Sequence, residues 1–526
     1  MKILVTEKIA TKGIDAMLQS GAIVDEMVGI NREHLLEIIA EYDALVVRSV
    51  TKVDEELYER AGNLKVVGRA GNGIDNIEIE GATKRGIIVV NTPDANSVSA
   101  AEMSIGLLLA SCRNITQADA LLRSKVWDRK GFKGIELNGK TVGIVGLGRI
   151  GSLVATRLQA FGMKTIAYDP YITDERFKKF GVEKKEILED LVRESDFITL
   201  HTPKTEETFG MIGEEAFRIA KKGIVVVNCA RGGIVDEDAL VKAIEDGTVA
   251  YAGIDVLVQE PNTTSPLLEL KNVVNTPHLG ADTVEAQDNV GITIAEEVIS
   301  ALRGEMVPNA VNLPTLHHQE VDGLRAFLKL GETLGRLYHQ LEKEAVKQVE
   351  VVYSGEIAKQ ETEVITLAVL KGLFEPVLME RVNYVNAMLT AKQRGVMVTE
   401  SKTTEIGNYL NLVQVRIITN KKEYTYSGTI FGKEEPRIVE VNGFEFDVSP
   451  TKYMLVAENQ DQPGMIGQIG TLLGKRNINI ATMQVSRNLK GKNAMMFLTI
   501  DSEVSKEEKE QIKNIDGISR IKFIKL

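Results

Sequence analysis

The chain has 526 residues, 44% of them hydrophobic and 26% charged, and a formal net charge of -11. That length exceeds what one hydrophobic core supports, so several domains are expected, and the acidic balance argues against a nucleic-acid surface or a polybasic membrane patch. Two cysteines, Cys112 and Cys229, both set in apolar stretches, argue against a disulfide framework and suit a reducing cytoplasm; no metal-ligand cluster stands out.

Met1–Thr6 opens on a strand pattern rather than on a signal peptide, and no apolar run reaches the roughly 18 residues that span a bilayer. From Met1 to about Pro93, short apolar runs alternate with helical stretches, the pattern of parallel βα units. The runs are Lys2–Thr6, Ala44–Arg48, Lys65–Gly68 and Ile87–Asn91. Three of them end in polar or glycine residues: Arg48-Ser49, Arg69-Ala70-Gly71-Asn72-Gly73 and Asn91-Thr92-Pro93. Ligands in open α/β sheets bind at the carboxyl ends of strands, so these ends should face one cleft. Ser97–Arg113 predicts a long helix buried between two lobes, and Leu122–Gly134 a basic loop carrying the single tryptophan, Trp127.

Next comes Thr141-Val142-Gly143-Ile144-Val145-Gly146-Leu147-Gly148-Arg149-Ile150-Gly151, an apolar run ending in G-x-G-x-x-G. Gly146 permits the tight turn, Gly148 lets backbone approach a pyrophosphate, and Gly151 lets the following helix pack on the strand. Lys140–Val145 reads as a buried strand, Arg149–Phe161 as a helix and Lys164–Asp169 as a second strand ending in an acid. Asp169 is placed to bond the adenosine ribose hydroxyls and to repel a 2′-phosphate, which favours NAD over NADP.

βα units continue to about Val274, and Ala281–Leu302 reads as another long helix. Long helices on either side of the nucleotide unit predict two crossings between lobes. A nucleotide domain at 97–281 would then interrupt a discontinuous lobe made of 1–96 and 282–308. The region 309–450 differs in texture, with a helix expected over Gly323–Glu344 and strands over Val349–Ser354, Ile365–Leu370, Leu412–Thr419 and Tyr424–Thr429. His317, His318 and His339 lack carboxylate or cysteine partners and read as structural or solvated. In 451–526 the order is strand Tyr453–Glu458, helix Gly464–Arg476, strands Ile478–Arg487 and Ala494–Asp501, helix Lys506–Lys513 and strand Ile518–Lys525. That is βαββαβ, the ferredoxin-like arrangement. The fold class is therefore α/β: two doubly wound, Rossmann-like parallel-sheet lobes, then an α+β intervening domain and a C-terminal ferredoxin-like domain.

Transfer of a hydride to a nicotinamide needs a group that removes a hydroxyl proton and a cation that holds the substrate's carboxylate. His278, in Asn275-Thr276-Pro277-His278-Leu279-Gly280-Ala281, suits the first role. Glu260, before Pro261, could hydrogen-bond its ring. Arg231, in Asn228-Cys229-Ala230-Arg231-Gly232-Gly233, could grip a carboxylate bidentately.

The runs Val145–Gly151, Asn228–Asp236 and Pro277–Ala281 match, in order and spacing, the signatures of the D-isomer-specific 2-hydroxyacid dehydrogenases, and the whole chain resembles their long form. The resemblance implies NAD-dependent oxidation of 3-phospho-D-glycerate, with Arg231 in substrate binding, Glu260 as partner of the catalytic histidine, and His278 in acid–base work. It also implies cofactor contacts from Arg149, Ile150, Asp169, Thr202, Cys229, Ala230, Asp255 and Gly280, alongside Gly146, Gly148 and Gly151. Arg48, Arg69, Asn72 and Asn96 would line the substrate side, and clustering of Arg48, Arg69 and Arg129 would favour a phosphorylated substrate. The last domain resembles an ACT domain, in which L-serine binds across a subunit interface; the matching positions are Asn459, Asp461 and Asn479. A homotetramer or dimer is implied. Two alternatives share the scaffold: a dehydrogenase for another D-2-hydroxy acid, and an NAD-sensing binding protein.

Overall fold

The computed structural model describes residues 1–314, 318–378, 382–487 and 493–526; His317 lies outside them. In the first lobe, β1 (Lys2–Val5), β2 (Ile23–Glu26), β3 (Ala44–Val47), β4 (Val66–Arg69) and β5 (Ile88–Val90) form one parallel sheet in the order β2-β1-β3-β4-β5. Every residue of β3 is buried, as expected of a strand covered on both faces. The sequence reading passes over β2 because half of this edge strand is acidic.

In the second lobe, β6 (Thr141–Val145), β7 (Lys164–Tyr168), β8 (Glu183–Lys184), β9 (Phe197–Leu200), β10 (Ile224–Asn228), β11 (Val249–Ile254) and β12 (Val273–Asn275) run parallel in the order β12-β11-β10-β9-β6-β7-β8. Strand order reverses between β6 and β9, and in such sheets the ligand crevice opens there.

Two helices cross between the lobes. Ser97–Cys112 packs on β11, where the Ser111 hydroxyl donates to the Ala252 carbonyl at 3.1 Å. The return helix starts at Val284 rather than Ala281, because the Thr283 hydroxyl caps it by accepting from the Ala286 N–H at 3.1 Å. Ser99 and Thr283 hydroxyls, 2.8 Å apart, join the two crossings. The returning chain stays on the first lobe through Asn312: the Val311 N–H donates to the Val89 carbonyl at 2.7 Å, and Asn312 Oδ1 accepts from the Val89 N–H at 3.0 Å. Before the Trp127 loop the structure adds a helix, Ile115–Arg123, none of whose residues is buried.

The intervening sheet holds β13 (Val346–Gly355), β14 (Met397–Thr403), β15 (Asn411–Thr419), β16 (Glu423–Phe431), β17 (Glu435–Val441) and β18 (Phe444–Val448), in the order β14-β13-β15-β16-β17-β18. Only its β14–β13 pair is parallel. β13 alternates buried and half-buried residues over most of its length, the mark of one covered face. Two helices, His318–Leu341 and Glu363–Phe374, cover that face. The expected strand Ile365–Leu370 lies inside the second of these helices. All its residues from Val364 to Phe374 except Lys371 are buried, so no polar stripe reveals the helical period. Glycines let the two helices touch: a Cβ on Gly335 would sit 2.1 Å from the Val369 carbonyl oxygen. This domain reaches the first lobe where Asn383 Nδ2 donates to the Gly86 carbonyl at 2.7 Å.

In the last domain, β19 (Tyr453–Gln460), β20 (Ile480–Arg487), β21 (Asn493–Ile500) and β22 (Ile518–Lys525) pair antiparallel in the order β20-β21-β19-β22, with helices Met465–Lys475 and Lys506–Lys513 between them in sequence. One face of this sheet does not meet solvent. Met454, Val456, Met495, Phe497 and Ile524 belong to the same core as Val349 and Val351 of the intervening sheet, and the rings of Phe446 and Phe497 meet edge to face at 5.5 Å. Arg520 closes the seam by donating to both carboxylate oxygens of Glu342, at 2.9 and 2.8 Å, and to Glu458 at 3.1 Å. Among the described residues no helix is long and apolar enough to cross a membrane.

Candidate active site

A cleft of about 820 Å³ opens between the two lobes at the carboxyl ends of their strands. Its lining brings together Arg48, Arg69, Asn72, Asn96, Ile150, Cys229, Arg231, Asp255, Glu260, His278 and Gly280.

His278 Nδ1 lies 2.7 Å from Glu260 Oε2. The other carboxylate oxygen, Oε1, accepts from the Leu257 N–H at 2.9 Å, so backbone fixes the acid that fixes the ring. With Nδ1 engaged, Nε2 is the ring nitrogen left for a substrate hydroxyl. His278 takes φ +57, the left-handed region.

Arg231 follows β10. It donates from Nη1 to the Ala230 carbonyl at 2.7 Å, and its Nε stands 3.6 Å from an Asp75 carboxylate oxygen. Its guanidinium presses on Gly73, where an added Cβ would lie 2.3 Å from Nη2. Arg69, at the end of β4, is half-buried, with its Nε shielded from solvent and without a hydrogen-bond partner. Burial first, and then the neighbouring charge of Arg231, lower its pKa to about 10, which leaves it cationic at neutral pH. Two guanidinium groups facing one cavity create a demand for anionic ligand atoms.

The glycine-rich turn borders this cleft through Ile150. Gly146 has φ +90, and a Cβ on Gly151 would lie 2.0 Å from the Gly146 carbonyl oxygen. At Gly148 a Cβ would meet nothing within 4 Å. No side chain caps the Arg149–Ala160 helix that starts there, and the Thr202 hydroxyl is buried without a partner. Open space, an uncapped helix N-terminus and an orphaned hydroxyl fit a dinucleotide's pyrophosphate. Asp169 Oδ2 accepts from the Leu147 N–H at 2.9 Å and Oδ1 from the Tyr171 N–H at 3.1 Å. Each oxygen keeps capacity for a ribose hydroxyl. Arg149 pairs with Asp94 of the opposite lobe.

Arg129 is not brought to the cleft; it is exposed on the loop after the Ile115–Arg123 helix. The three ACT positions do not converge within one chain either. Asp461 pairs with Arg487 at 3.1 Å, whereas Asn479 donates to Asp501 at 2.7 Å. These are opposite ends of the sheet, since Arg487 faces Ala494 and Ile480 faces Ile500.

Sequence reasoning missed Glu7. Its carboxylate accepts from the N–H groups of Arg48 (2.9 Å), Ser49 (3.1 Å), Val50 (3.1 Å) and Thr51 (2.9 Å), shaping the loop that presents Arg48. Burial alone would raise its pKa, but the N–H donors of Thr51, Arg48 and Val50 hold it below the ordinary value. Its position just past β1 was the available signal. Asp75 and Lys204, which also line the cleft, carried no such signal.

Residues 105–280 match the family model described as the NAD binding domain of D-isomer specific 2-hydroxyacid dehydrogenases, 323–442 the D-3-phosphoglycerate dehydrogenase intervening domain, and 453–517 the ACT domain. The D-3-phosphoglycerate dehydrogenase of Methanocaldococcus jannaschii is 45% identical with all of both chains covered, and that of Bacillus subtilis 41% identical over all of this chain and 99% of the relative. Among solved structures, a glyoxylate reductase from Paecilomyes thermophila matches 59% of this chain and 98% of its own at 30% identity and TM-score 0.55. With the same signatures around the same cleft, the chain belongs to the D-3-phosphoglycerate dehydrogenases of the D-isomer-specific 2-hydroxyacid dehydrogenase family.

Proposed function

We propose that the chain oxidises 3-phospho-D-glycerate to 3-phosphohydroxypyruvate with NAD, the entry to the phosphorylated route to serine. The observation that carries the substrate is the set of Arg48, Arg69 and Arg231 on one cleft with the His278–Glu260 pair. Arg231 grips the carboxylate, and Arg69 and Arg48 take the phosphate. His278 removes the C2 hydroxyl proton as the carbonyl forms, and Glu260 stabilises the imidazolium that results. When bound, NAD accepts the C2 hydrogen with its electron pair. Gly146, Gly148, Gly151, Arg149, Ile150, Thr202 and Asp169 would hold it.

In this reading 1–96 with 282–308, continued on the same lobe through Asn312, form the substrate lobe, 97–281 the NAD domain, the chain from there to 450 the intervening domain and 451–526 the regulatory domain. Two buried free cysteines suit a cytoplasmic setting. The Ile115–Arg123 helix and the loop after it expose Ile115, Leu122, Val126 and Trp127, a face that supports pairing of two copies. L-serine is the effector. Asn459 is 2% exposed with Oδ1 unpartnered, and two copies joined antiparallel along β20 would bring Asn479 of one to Asp461 of the other. Turnover with NAD and 3-phospho-D-glycerate, with and without L-serine, tests the reading. Absence of NADH formation sinks the enzyme; turnover indifferent to serine sinks only the effector.

A further inference from the structure

Arg69 and Arg231 rest on one loop. A Cβ on Gly71 would lie 2.1 Å from Arg69 Nη1, and one on Gly73 would lie 2.3 Å from Arg231 Nη2. The two guanidinium groups are laid against the same backbone, so the conformation of that backbone sets how far apart they stand. Gly71-Asn72-Gly73 has two glycines in three residues. Such a stretch bends freely and loses much freedom when it is ordered, so its shape has to be fixed from outside.

Two successive carbonyls of the loop are held from behind. The Thr92 N–H donates to the Gly71 carbonyl at 3.0 Å, and Asn91 Nδ2 donates to the Asn72 carbonyl at 2.7 Å. Asn91 and Thr92 follow β5 and do not themselves line the cleft, although the sequence groups Asn91-Thr92-Pro93 with the strand ends that should face it. The backbone of Asn91 is clamped in turn. Its N–H donates to the Asn309 carbonyl at 3.3 Å, and Asn309 Nδ2 donates to Glu297 Oε1 of the returning helix at 2.8 Å. Asn91 therefore stands on a fixed base, and its side chain reaches the residue between the two glycines.

We propose that Asn91 is a positioning residue for the substrate: by pinning the Asn72 carbonyl it sets the spacing of Arg69 and Arg231, and with it the preference for a substrate that carries an anionic group at each end. The inference rests on the substrate reading given above, in which Arg231 takes the carboxylate and Arg69 the phosphate. Asn91→Ala removes the donor without touching either guanidinium. Gly71→Ala reaches the same loop from the other side, because its Cβ would displace the Arg69 guanidinium, the outer end of a flexible side chain.

Steady-state kinetics of the full-length protein with 3-phospho-D-glycerate, with D-glycerate as substrate or competitive inhibitor, and with NADH affinity by fluorescence titration decide the matter. One hydrogen bond corresponds to about a 2- to 10-fold effect. Asn91→Ala should raise KM for 3-phospho-D-glycerate by about 5- to 10-fold, change kcat by less than about threefold, and leave D-glycerate and NADH affinities within about twofold. In an Arg69→Gln background the same change should add less than about twofold, because the cation it places is gone. Gly71→Ala should show the same split between the two acids, which covers the case of a misfolded Asn91→Ala. Equal losses on both acids, a full loss on top of Arg69→Gln, or an unchanged KM in both variants would overturn the proposal. If the wild type forms no NADH from 3-phospho-D-glycerate, the substrate reading fails instead, and calorimetry with the two acids on the same variants still decides the role of Asn91.

Discussion

Glu260 touches His278 with one carboxylate oxygen and the Leu257 backbone with the other, so the acid is held at both ends, 2.7 Å from the ring and 2.9 Å from the N–H. The ring is therefore oriented before any substrate enters. His278→Ala should lower kcat by about 10²–10⁴-fold, the usual range for a lost general base. Glu260→Gln keeps the shape but removes the charge that supports the imidazolium, and should lower kcat by about 10²-fold while altering the pH–rate profile. Steady-state kinetics over a pH series checks both.

Arg69 is half-buried with a shielded, unpartnered Nε and stays cationic beside Arg231. A bond from a charged group contributes roughly 1.5–3 kcal/mol, so Arg69→Gln should raise KM for 3-phospho-D-glycerate by about 10- to 100-fold. D-glycerate, which lacks the phosphate, should be affected much less. Equal losses for both substrates would assign Arg69 to the fold instead.

Glu297, in the Val284–Leu302 helix, accepts from Asn309 Nδ2 at 2.8 Å through Oε1 and has no partner at Oε2. Burial pushes its pKa up from 4.5 to about 7. An acid whose folded pKa is raised holds its proton more tightly when folded, so its contribution is full below pH 4.5 and lost as pH rises through 7. The loss amounts to about 3 kcal/mol at most. Thermal melts from pH 5 to pH 8 should show Glu297→Gln gaining on the wild type as pH rises.

Asp461 is held by Arg487 at 3.1 Å, and both are partly exposed. An effector's ammonium would have to displace that guanidinium. Asp461→Ala should abolish L-serine binding, whereas Arg487→Ala should tighten it by up to about fivefold, since surface ion pairs contribute about 0–1 kcal/mol. Calorimetry on the full-length protein measures both.

The parallel lobes were legible because their strands are apolar on both faces and their turns carry glycine, as at Gly146, whose φ of +90 the motif requires. His278, Glu260 and Arg231 were legible as motif residues, but their convergence depends on chain brought together from β10, β11 and β12. What escaped has physical causes. The helix through Ile365–Leu370 is buried all round and shows no period. Glu7 acts on a loop some forty residues away in sequence, which no local pattern encodes. Asn459, Asp461 and Asn479 form one set by resemblance, yet strand direction puts Asn479 at the far end of its own sheet.

Phe446 and Phe497, with Met454, Val456 and Ile524, make the last two domains share an interior. The terminal domain therefore cannot be trimmed off as an appendage: a chain stopped at Lys452 would lay bare the face of the intervening sheet that those side chains cover. It would be prone to clumping for reasons unrelated to serine. For the same reason an effector cannot tilt one domain against the other without tearing packed apolar surface. The two domains form one packed body, which meets the first lobe at the Asn383–Gly86 contact.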